Sequence, residues 1–295
     1  MPSDAQPFDL DAGAVRRSFD RASAGYEATA VLQASVADEL LGRLDPFGLR
    51  PGVVLDLGAG TGRATAALKR KYRHALVVAL DLAPGMLEEA RRHQRLFQRF
   101  ARVCADANRL PFADASVDIV FSSLMLQWCQ LDWAFAEVRR VLKPEGLFVF
   151  STFGPDTLME LRAAWAQVDE YHHVHSFMDM HDVGDALVRA GLMKPVLDVE
   201  RVQLTYSDVR GLMRDLKAIG AHNLASGRPR GLTGRSRLQQ MQAAYEAFRH
   251  NGRLPATYEV VYGAAWGAAG RRGAQAIDGE VRISAKDIAR RRASP

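Results

Sequence analysis

The chain has 295 residues, of which 48% are hydrophobic and 25% charged, a composition typical of one large globular domain or of one domain with a sizeable insertion. With only two cysteines, Cys104 and Cys129, a disulfide framework and a cysteine-based metal finger are excluded. Both cysteines lie in apolar contexts, so we expect buried thiols. No apolar run approaches the roughly 18 residues of a membrane span. The N-terminus is acidic and polar, so we expect a cytoplasmic protein without a secretory signal.

The net charge of +5 is compatible with an acidic partner. Lysine runs, zinc-finger spacings and aromatic RNA-binding strands are missing, so we do not expect a nucleic-acid partner. Basic residues concentrate between positions 210 and 253, a stretch that includes Arg228 and Arg230. A second group follows residue 270 and reads as a solvated tail.

Helices are expected over residues 11–45, and strands then alternate with helices from 51 to 152, as in a parallel α/β sheet. The predicted core segments are the apolar start of VVLDLGAGTG (53–62), LVVALD (76–81), a short apolar run before Asp106, VDIVFSS (117–123) and RVLKPEGLFVFST (140–152), in which a Pro-Glu-Gly turn precedes the strand, with an amphipathic helix over 82–97.

After residue 152 the alternation stops, and the predicted elements are helices over 154–171 and 177–192, a strand over 195–206, helices over 207–223 and 233–253, and a final strand over 255–267. Ser207 is the expected N-cap of its helix, and Gly191 the expected end of another. We therefore predict N-terminal helices (1–48), a cofactor-binding core (49–206), a basic helical cap (207–254), a final core strand (255–268) and a basic tail (269–295).

The glycine-rich loop after the first strand is the most informative motif. Gly58, Gly60 and Gly62 allow a sharp turn that brings the backbone close to a ligand. A pyrophosphate-binding loop would have the pattern G-x-G-x-x-G, but position 63 is Arg63. Asp56 before the loop suits a cationic ligand better than a pyrophosphate. This pattern resembles motif I of the S-adenosylmethionine (SAM) methyltransferases.

Two further acids fit the same interpretation. Asp81 ends the second predicted strand about 20 residues beyond the loop, where a carboxylate can accept hydrogen bonds from both ribose hydroxyls. In the methyltransferases that this chain resembles, an acid at the position of Asp106 meets the adenine amino group. The resemblance implies that the cofactor contacts come from Asp56, Gly58, Ala59, Gly60, Gly62, Asp81, Leu82, Asp106, Ala107 and Gln33.

Methyl transfer to a carboxylate requires no catalytic base, because a carboxyl group with a pKa near 4 is ionised at neutral pH. A Ser-His-Asp or Cys-His signature is also missing. Possible acceptor-site residues are Tyr26, Gln127 and Trp128. Packing is an equally good interpretation of Trp128 and Trp133.

Residues 172–185 are rich in His and Asp, but their spacing matches no usual metal signature. We therefore expect no metal site from His172, His173, His175, His181, Asp179 and Asp182. Asp179 or Asp182 serves instead as an acid at the start of the following helix.

Five segments resemble the BioC family, the malonyl-[acyl-carrier protein] O-methyltransferases of biotin synthesis. They are SFDRASAGYEATAVLQ (18–33), LQWC (126–129), RDLKAIGAHN (214–223), GLTGRSRLQQMQ (231–242) and LPATYEVVYG (254–263). The resemblance implies a class I SAM-methyltransferase α/β sheet, Rossmann-like, with a mostly helical cap inserted between its last two strands. It also implies esterification of the free carboxyl group of malonyl-acyl-carrier protein.

The basic cap fits such a substrate, because basic surfaces steer acidic partners such as carrier proteins. Arg214 and Lys217 lie three residues apart and so share one face of a predicted helix. We expect them to orient the substrate, although both also fit as solvated surface residues. Arg235 and Arg237 are the next candidates.

Two other functions remain open at this stage. The segment FGPDTLMELRAAW…DMHDVGD is similar to methyltransferase-like respiratory complex I assembly factors, which modify a protein side chain. The second alternative function is that of a non-catalytic module that binds carrier proteins. The intact cofactor motif from Asp56 to Asp81 argues against this alternative.

Overall fold

A seven-stranded sheet forms the centre of the computed structural model, which describes residues 11–221, 234–268, 274–277 and 280–283. In chain order the strands are β1 (Val53–Leu57), β2 (Leu76–Asp81), β3 (Ala101–Cys104), β4 (Val117–Ser123), β5 (Leu142–Phe153), β6 (Met193–Tyr206) and β7 (Leu254–Trp266). Their order across the sheet is β3-β2-β1-β4-β5-β7-β6. A separate pair consists of β8 (Ala274–Ile277) and β9 (Glu280–Ile283).

The direction of the strands determines where a ligand can bind. β1 to β5 are mutually parallel, and β7 is antiparallel to both β5 and β6. The carboxyl ends of β1 to β6 therefore meet at one edge of the sheet. In open α/β sheets that edge is where ligands bind.

Helices cover both faces of the sheet. They are α1 (Ala12–Ala22), α2 (Tyr26–Thr29), α3 (Val31–Gly42), α4 (Arg63–Lys71), α5 (Pro84–Ala90), α6 (Leu131–Val141), α7 (Met159–Ala166), α8 (Met180–Arg189), α9 (Val209–Ala218) and α10 (Arg235–Tyr245). Leu40 of α3 and Leu68 of α4 pack in the core of one face, and Phe135 of α6 and Leu187 of α8 pack in the core of the other.

The predicted fold class is confirmed. The fold is α/β, and the helices α9 and α10 lie between β6 and β7 in the chain. The finer division into five segments stays a prediction. Arg228, Arg230 and the arginines of the tail lie outside the described residues, as do parts of the segments 214–223 and 231–242. Among the helices that the structure describes, none combines the length and apolar character needed to cross a membrane.

Several helices are shorter than predicted. The helix expected over 82–97 ends at Ala90 and continues only as a 3₁₀ turn over Arg91–His93. The helix expected over 154–171 begins at Met159, because the preceding backbone bonds to β7 instead: the Asp156 N–H donates to the Glu259 carboxylate, and the Leu158 N–H to the Thr257 carbonyl.

Two residue assignments and one strand boundary are corrected. Asp208, not Ser207, caps α9, since its carboxylate accepts the Gly211 N–H at 2.8 Å. Cys104 is exposed and Cys129 half-buried, because Cys104 lies on the edge strand β3, which has only one neighbouring strand. β5 already begins at Leu142, so that the expected Pro-Glu-Gly turn becomes an irregular part of the strand, with Glu145 at a φ of 61°.

Candidate cofactor-binding site

The glycine loop connects β1 to α4 at the carboxyl edge of the sheet. The Gly58 and Ala59 N–H groups donate to the Leu80 carbonyl at 2.8 and 2.9 Å, which ties the loop to the end of β2. All three glycines have positive φ values, which favour glycine. A side chain at Gly58 would collide with Met125, and a Cβ atom at Gly62 would lie 2.6 Å from that of Ala90.

Gly60 differs from its two neighbours. A Cβ atom there would meet no atom within 4 Å, although its φ of 53° is also left-handed. Gly60 therefore leaves space above the backbone, whereas Gly58 and Gly62 are required by the packing of the protein itself. Such an open cradle is what a ligand that approaches the backbone needs.

Asp81 organises the loop and the cavity together. One carboxylate oxygen accepts the Gly60 N–H at 2.8 Å, and the other accepts the Ala83 N–H at 2.9 Å. Burial raises the pKa of Asp81, and these backbone hydrogen bonds act in the opposite direction. Because each carboxylate oxygen has two lone pairs, Asp81 can still accept hydrogen bonds from a ligand.

A cavity of about 770 Å³ lies over this loop. Of the predicted cofactor residues, its lining contains Gly58, Gly60, Asp81, Leu82, Asp106 and Ala107. Asp106 also accepts the Asn108 N–H at 2.8 Å, and the buried side-chain oxygen of Asn108 has no hydrogen-bond partner among the described residues. Polar acceptors are therefore collected at this end of the cavity.

A second cavity of about 790 Å³ continues the first, since Tyr26, Gly58, Gly60 and Ser123 line both. Gln33, Asp56 and Ala59, three more of the predicted cofactor residues, line this part. Gly62 lines neither part, and its role is the close packing against Ala90. We call the two parts together the cofactor cavity.

Asp56 is a buried acid in the wall of the cofactor cavity, with 1% of its surface exposed. Burial raises its pKa to about 7, while a 2.5 Å hydrogen bond from the Thr65 hydroxyl acts in the opposite direction and the charge of Asp81 adds to the increase. Asp56 thus changes its charge near neutral pH. The pairing with Thr65, nine residues further along the chain, was not predicted.

Helix α1 closes one side of the cofactor cavity. Ala12, Val15, Arg16 and Phe19 line it, and the Phe19 ring meets the Trp128 ring edge-on at a centroid distance of 5.4 Å. Phe19 was predicted only as part of the segment 18–33, and Ala12, Val15 and Arg16 were not predicted to line the cavity. The helical spacing of Ala12, Val15 and Phe19 was a usable signal, because i, i+3 and i+7 share one helix face.

The three predicted acceptor-site residues occupy different positions. Tyr26 lines both parts of the cofactor cavity, and burial together with the charge of Asp81 raises its pKa. Trp128 lines the cofactor cavity, whereas Trp133 is 65% exposed. Gln127 lines a neighbouring cavity of about 1270 Å³, and its side-chain amide donates to the Leu124 carbonyl at 2.6 Å.

His175 lies between these two cavities. Its ring stacks on Trp128 at a centroid distance of 5.9 Å, and its Nε2 atom lies 3.2 Å from the Gln127 carbonyl oxygen. Burial lowers the pKa of His175, so its ring is neutral at physiological pH.

Three other residues of the His- and Asp-rich segment, His173, Asp179 and His181, take part in hydrogen bonds within the protein. His173 bonds to Asp169 at 2.8 Å, and Asp179 caps α8 by accepting the His181 N–H at 2.7 Å. Over the described ranges, no group of three or more His, Cys, Asp or Glu residues is arranged to hold a metal ion.

The four predicted substrate-binding cations are all exposed and do not line the cofactor cavity. Arg214 and Lys217 lie on α9, and Arg235 and Arg237 lie on α10. Arg237 is 3.8 Å from the Asp169 carboxylate. A role of these four cations in substrate binding therefore stays a prediction.

Comparisons with known proteins agree with this geometry. Residues 55–150 match a family profile described as a methyltransferase domain. The chain is 58% identical to a malonyl-[acyl-carrier protein] O-methyltransferase of Methylovorus over 269 residues, which cover 89% of this chain and 91% of that protein. It is 52% identical to the protein of the same name from Halorhodospira halophila, over 99% of both chains.

Solved structures share the fold at much lower identity. The YcgJ protein of Bacillus subtilis superimposes with a TM-score of 0.57 at 19% identity, covering 79% of this chain and all of that one. A putative methyltransferase of Bacillus halodurans has a TM-score of 0.54, also at 19% identity, covering 78% of this chain and 99% of that one. These two similarities show the fold alone.

Proposed function

The chain belongs to the family of malonyl-[acyl-carrier protein] O-methyltransferases, and from this premise we propose that it methylates the free carboxyl group of a malonyl thioester on an acyl-carrier protein. The observation that carries the proposal is the 52–58% identity, over most of the chain, to relatives named for this reaction. These relatives do not favour a role as a complex I assembly factor. The reaction belongs to biotin synthesis, and we place it in the cytoplasm, with an acidic carrier protein and no nucleic acid as partner.

The cofactor of this reaction is S-adenosyl-L-methionine, and the described residues fit it. Gly60 leaves open space above the backbone. Asp81 and Asp106 line one part of the cofactor cavity, and Asp56 lines the other. We assign Asp81 to the ribose hydroxyls, Asp106 to the adenine amino group and Asp56 to the cationic amino group. Gln33 and Ala59 complete the wall on that side.

When bound, the cofactor supplies a methyl group on a sulfonium, and a malonyl carboxylate oxygen takes that methyl group to give a methyl ester and S-adenosylhomocysteine. The protein does not need to remove a proton, because the carboxyl group is already ionised at neutral pH. Its residues act by orientation and by exclusion of water. Phe19 and Trp128, whose rings are in edge-on contact in the wall of the cavity, are the residues that we assign to the exclusion of water.

The direct test is mass spectrometry of malonyl-carrier protein after incubation with the enzyme and S-adenosyl-L-methionine. We expect a mass gain of one methylene unit. Acetyl-carrier protein, which has no free carboxyl group, is the matched control and should gain nothing. Failure of malonyl-carrier protein to gain mass, or an equal gain by both carriers, would contradict the proposed reaction.

The raised pKa of Asp56 predicts that cofactor binding depends on pH. Below about pH 7 Asp56 is protonated, and a cationic amino group beside it favours the ionised form, so binding releases a proton. The affinity for S-adenosyl-L-methionine should therefore rise as pH increases and level off above the pKa of about 7. Calorimetry on the wild type and on Asp56→Asn checks this, and a pH dependence that is the same in both proteins would remove Asp56 from the contact.

A further inference from the structure

A basic stripe runs along α9 in the cap. Arg210, Arg214 and Lys217 are all exposed, and their i, i+4 and i+7 spacing puts them on one face of the helix. Val209 and Leu212 are buried on the opposite face of α9, so the face that carries the three cations points to solvent. None of the three cations has an ion-pair partner among the described residues, so their charge is directed to solvent.

Helix α1 presents a second basic stripe. Val15 and Ser18 are buried, while Arg17 and Arg21 are exposed at i and i+4. Arg17 lies 3.5 Å from Asp11, with both side chains more than 60% exposed, and such a pair contributes little. Arg21 has no ion-pair partner within the described part of the chain. The outer face of α1 is therefore positive, while its inner face covers the cofactor cavity.

The two helices that carry these stripes are in contact near their C-terminal ends. The Ser18 hydroxyl donates to the Gly220 carbonyl at 3.0 Å, although 202 positions separate these residues. Gly220 has a φ of 73°, and a Cβ atom there would lie 3.4 Å from the Cβ of Ala22. Arg21 and Lys217 each lie in the last turn of their helix, so they flank this junction.

The acids of the two helices either cap the N-terminal end of their helix or bond to another part of the protein. Asp11 and Asp208 accept backbone N–H groups of their own helices, and Asp20 accepts the Gly85 N–H at 2.8 Å. Asp215 bonds to the Tyr206 hydroxyl. With their caps, α1 and α9 carry six Arg and Lys residues against these four carboxylates, so the two helices together keep a net positive charge.

We propose that α1 and α9 form one docking surface for the acidic carrier protein, composed of Arg17, Arg21, Arg210, Arg214 and Lys217. This inference rests on the proposed function. It adds α1, the helix that lines the cofactor cavity, to the basic cap residues that were already predicted to meet the carrier protein. Opposite charges steer the encounter of two proteins and fix their relative orientation. A carrier docked on this surface would lie against α1, the helix that lines one side of the cofactor cavity.

The test uses Arg17→Glu/Arg21→Glu, which leaves the cap unchanged. We expect the KM for malonyl-carrier protein to rise by at least about tenfold at low ionic strength, and the difference from wild type to shrink as salt is added. The affinity for S-adenosyl-L-methionine should stay unchanged, which also shows that the variant is folded. Arg17→Gln/Arg21→Gln, which removes the charges without reversing them, should give a smaller increase.

The matched control is Arg70→Glu/Arg73→Glu. Both residues are exposed at the end of α4, which begins at the carboxyl edge of β1 and so ends at the opposite edge of the sheet. A normal KM in Arg17→Glu/Arg21→Glu, or an equal increase in the control, would overturn the docking surface while leaving the reaction intact. If the wild type methylates no carrier, the proposed function fails, and the binding of malonyl-carrier protein to the three proteins, measured by fluorescence anisotropy, decides the docking surface by itself.

Discussion

Replacement of Gly60 by valine should abolish measurable binding of S-adenosyl-L-methionine while the fold remains. The space above Gly60 is open in the protein, so the valine side chain would fill the volume that the cofactor needs. A β-branched residue at a φ of 53° is also strained by about 1–3 kcal/mol, which should lower the melting temperature. Calorimetric titration with the cofactor and a thermal melt measure the two effects separately.

Gly48→Val is the matched control for this variant. Gly48 has a φ of 56° and also has open space around it, but it lies in the connection between α3 and β1, away from the cofactor cavity. The control should lose similar stability and bind the cofactor normally. Normal binding in Gly60→Val would show that the cofactor lies elsewhere, and a loss of binding in both variants would show that the effect is one of general stability.

Asp81→Ala should weaken the binding of S-adenosyl-L-methionine by about 1.5–3 kcal/mol, or roughly 10- to 150-fold in Kd. The substitution removes the acceptor proposed for both ribose hydroxyls. It also leaves the Gly60 and Ala83 N–H groups without the carboxylate to which they donate, so the loop itself should become less ordered. The Kd is measured by calorimetry on protein whose folding is checked by circular dichroism.

Asp198→Ala serves as the control for the loss of an acidic side chain. Asp198 is 61% exposed on β6 and pairs with Arg43 at 3.0 Å. Its removal should leave the cofactor Kd unchanged. Unaltered affinity in folded Asp81→Ala would remove Asp81 from the cofactor site.

The parts of the fold that were predictable depend on short-range pattern. The apolar runs that became β1, β2 and β4 are bounded by residues with a clear local preference, such as Gly58 and Asp81, and the acid at the end of β2 does reach the glycine loop. Long-range contacts were not predictable in this way. The Glu259 carboxylate accepts a hydrogen bond from the Asp156 N–H, 103 positions earlier in the chain. Because of this contact, α7 begins only at Met159.

The same distinction between short-range pattern and long-range contact applies to the residues of the candidate site. Asp56, Asp81 and Asp106 were identifiable because each directly follows or ends an apolar run. The raised pKa of Asp56, in contrast, comes from burial and from the neighbouring Asp81, which only the folded chain brings close. Gln127 and Trp128 were predicted together as acceptor-site residues, yet the 3₁₀ turn Leu126–Trp128 that contains both directs their side chains to different cavities. The acceptor residues therefore stay predictions.

The hydrogen bond between Ser18 and Gly220 connects the helix that lines the cofactor cavity to the other half of the proposed docking surface. α1 lines the cofactor cavity with one face and presents Arg17 and Arg21 on the other, so a carrier on the proposed docking surface would hold α1 against a bound cofactor. The cofactor should then bind before the carrier, and S-adenosylhomocysteine should leave after the esterified carrier. By thermodynamic linkage, the factor by which the bound carrier increases the affinity for the cofactor equals the factor by which the bound cofactor increases the affinity for the carrier.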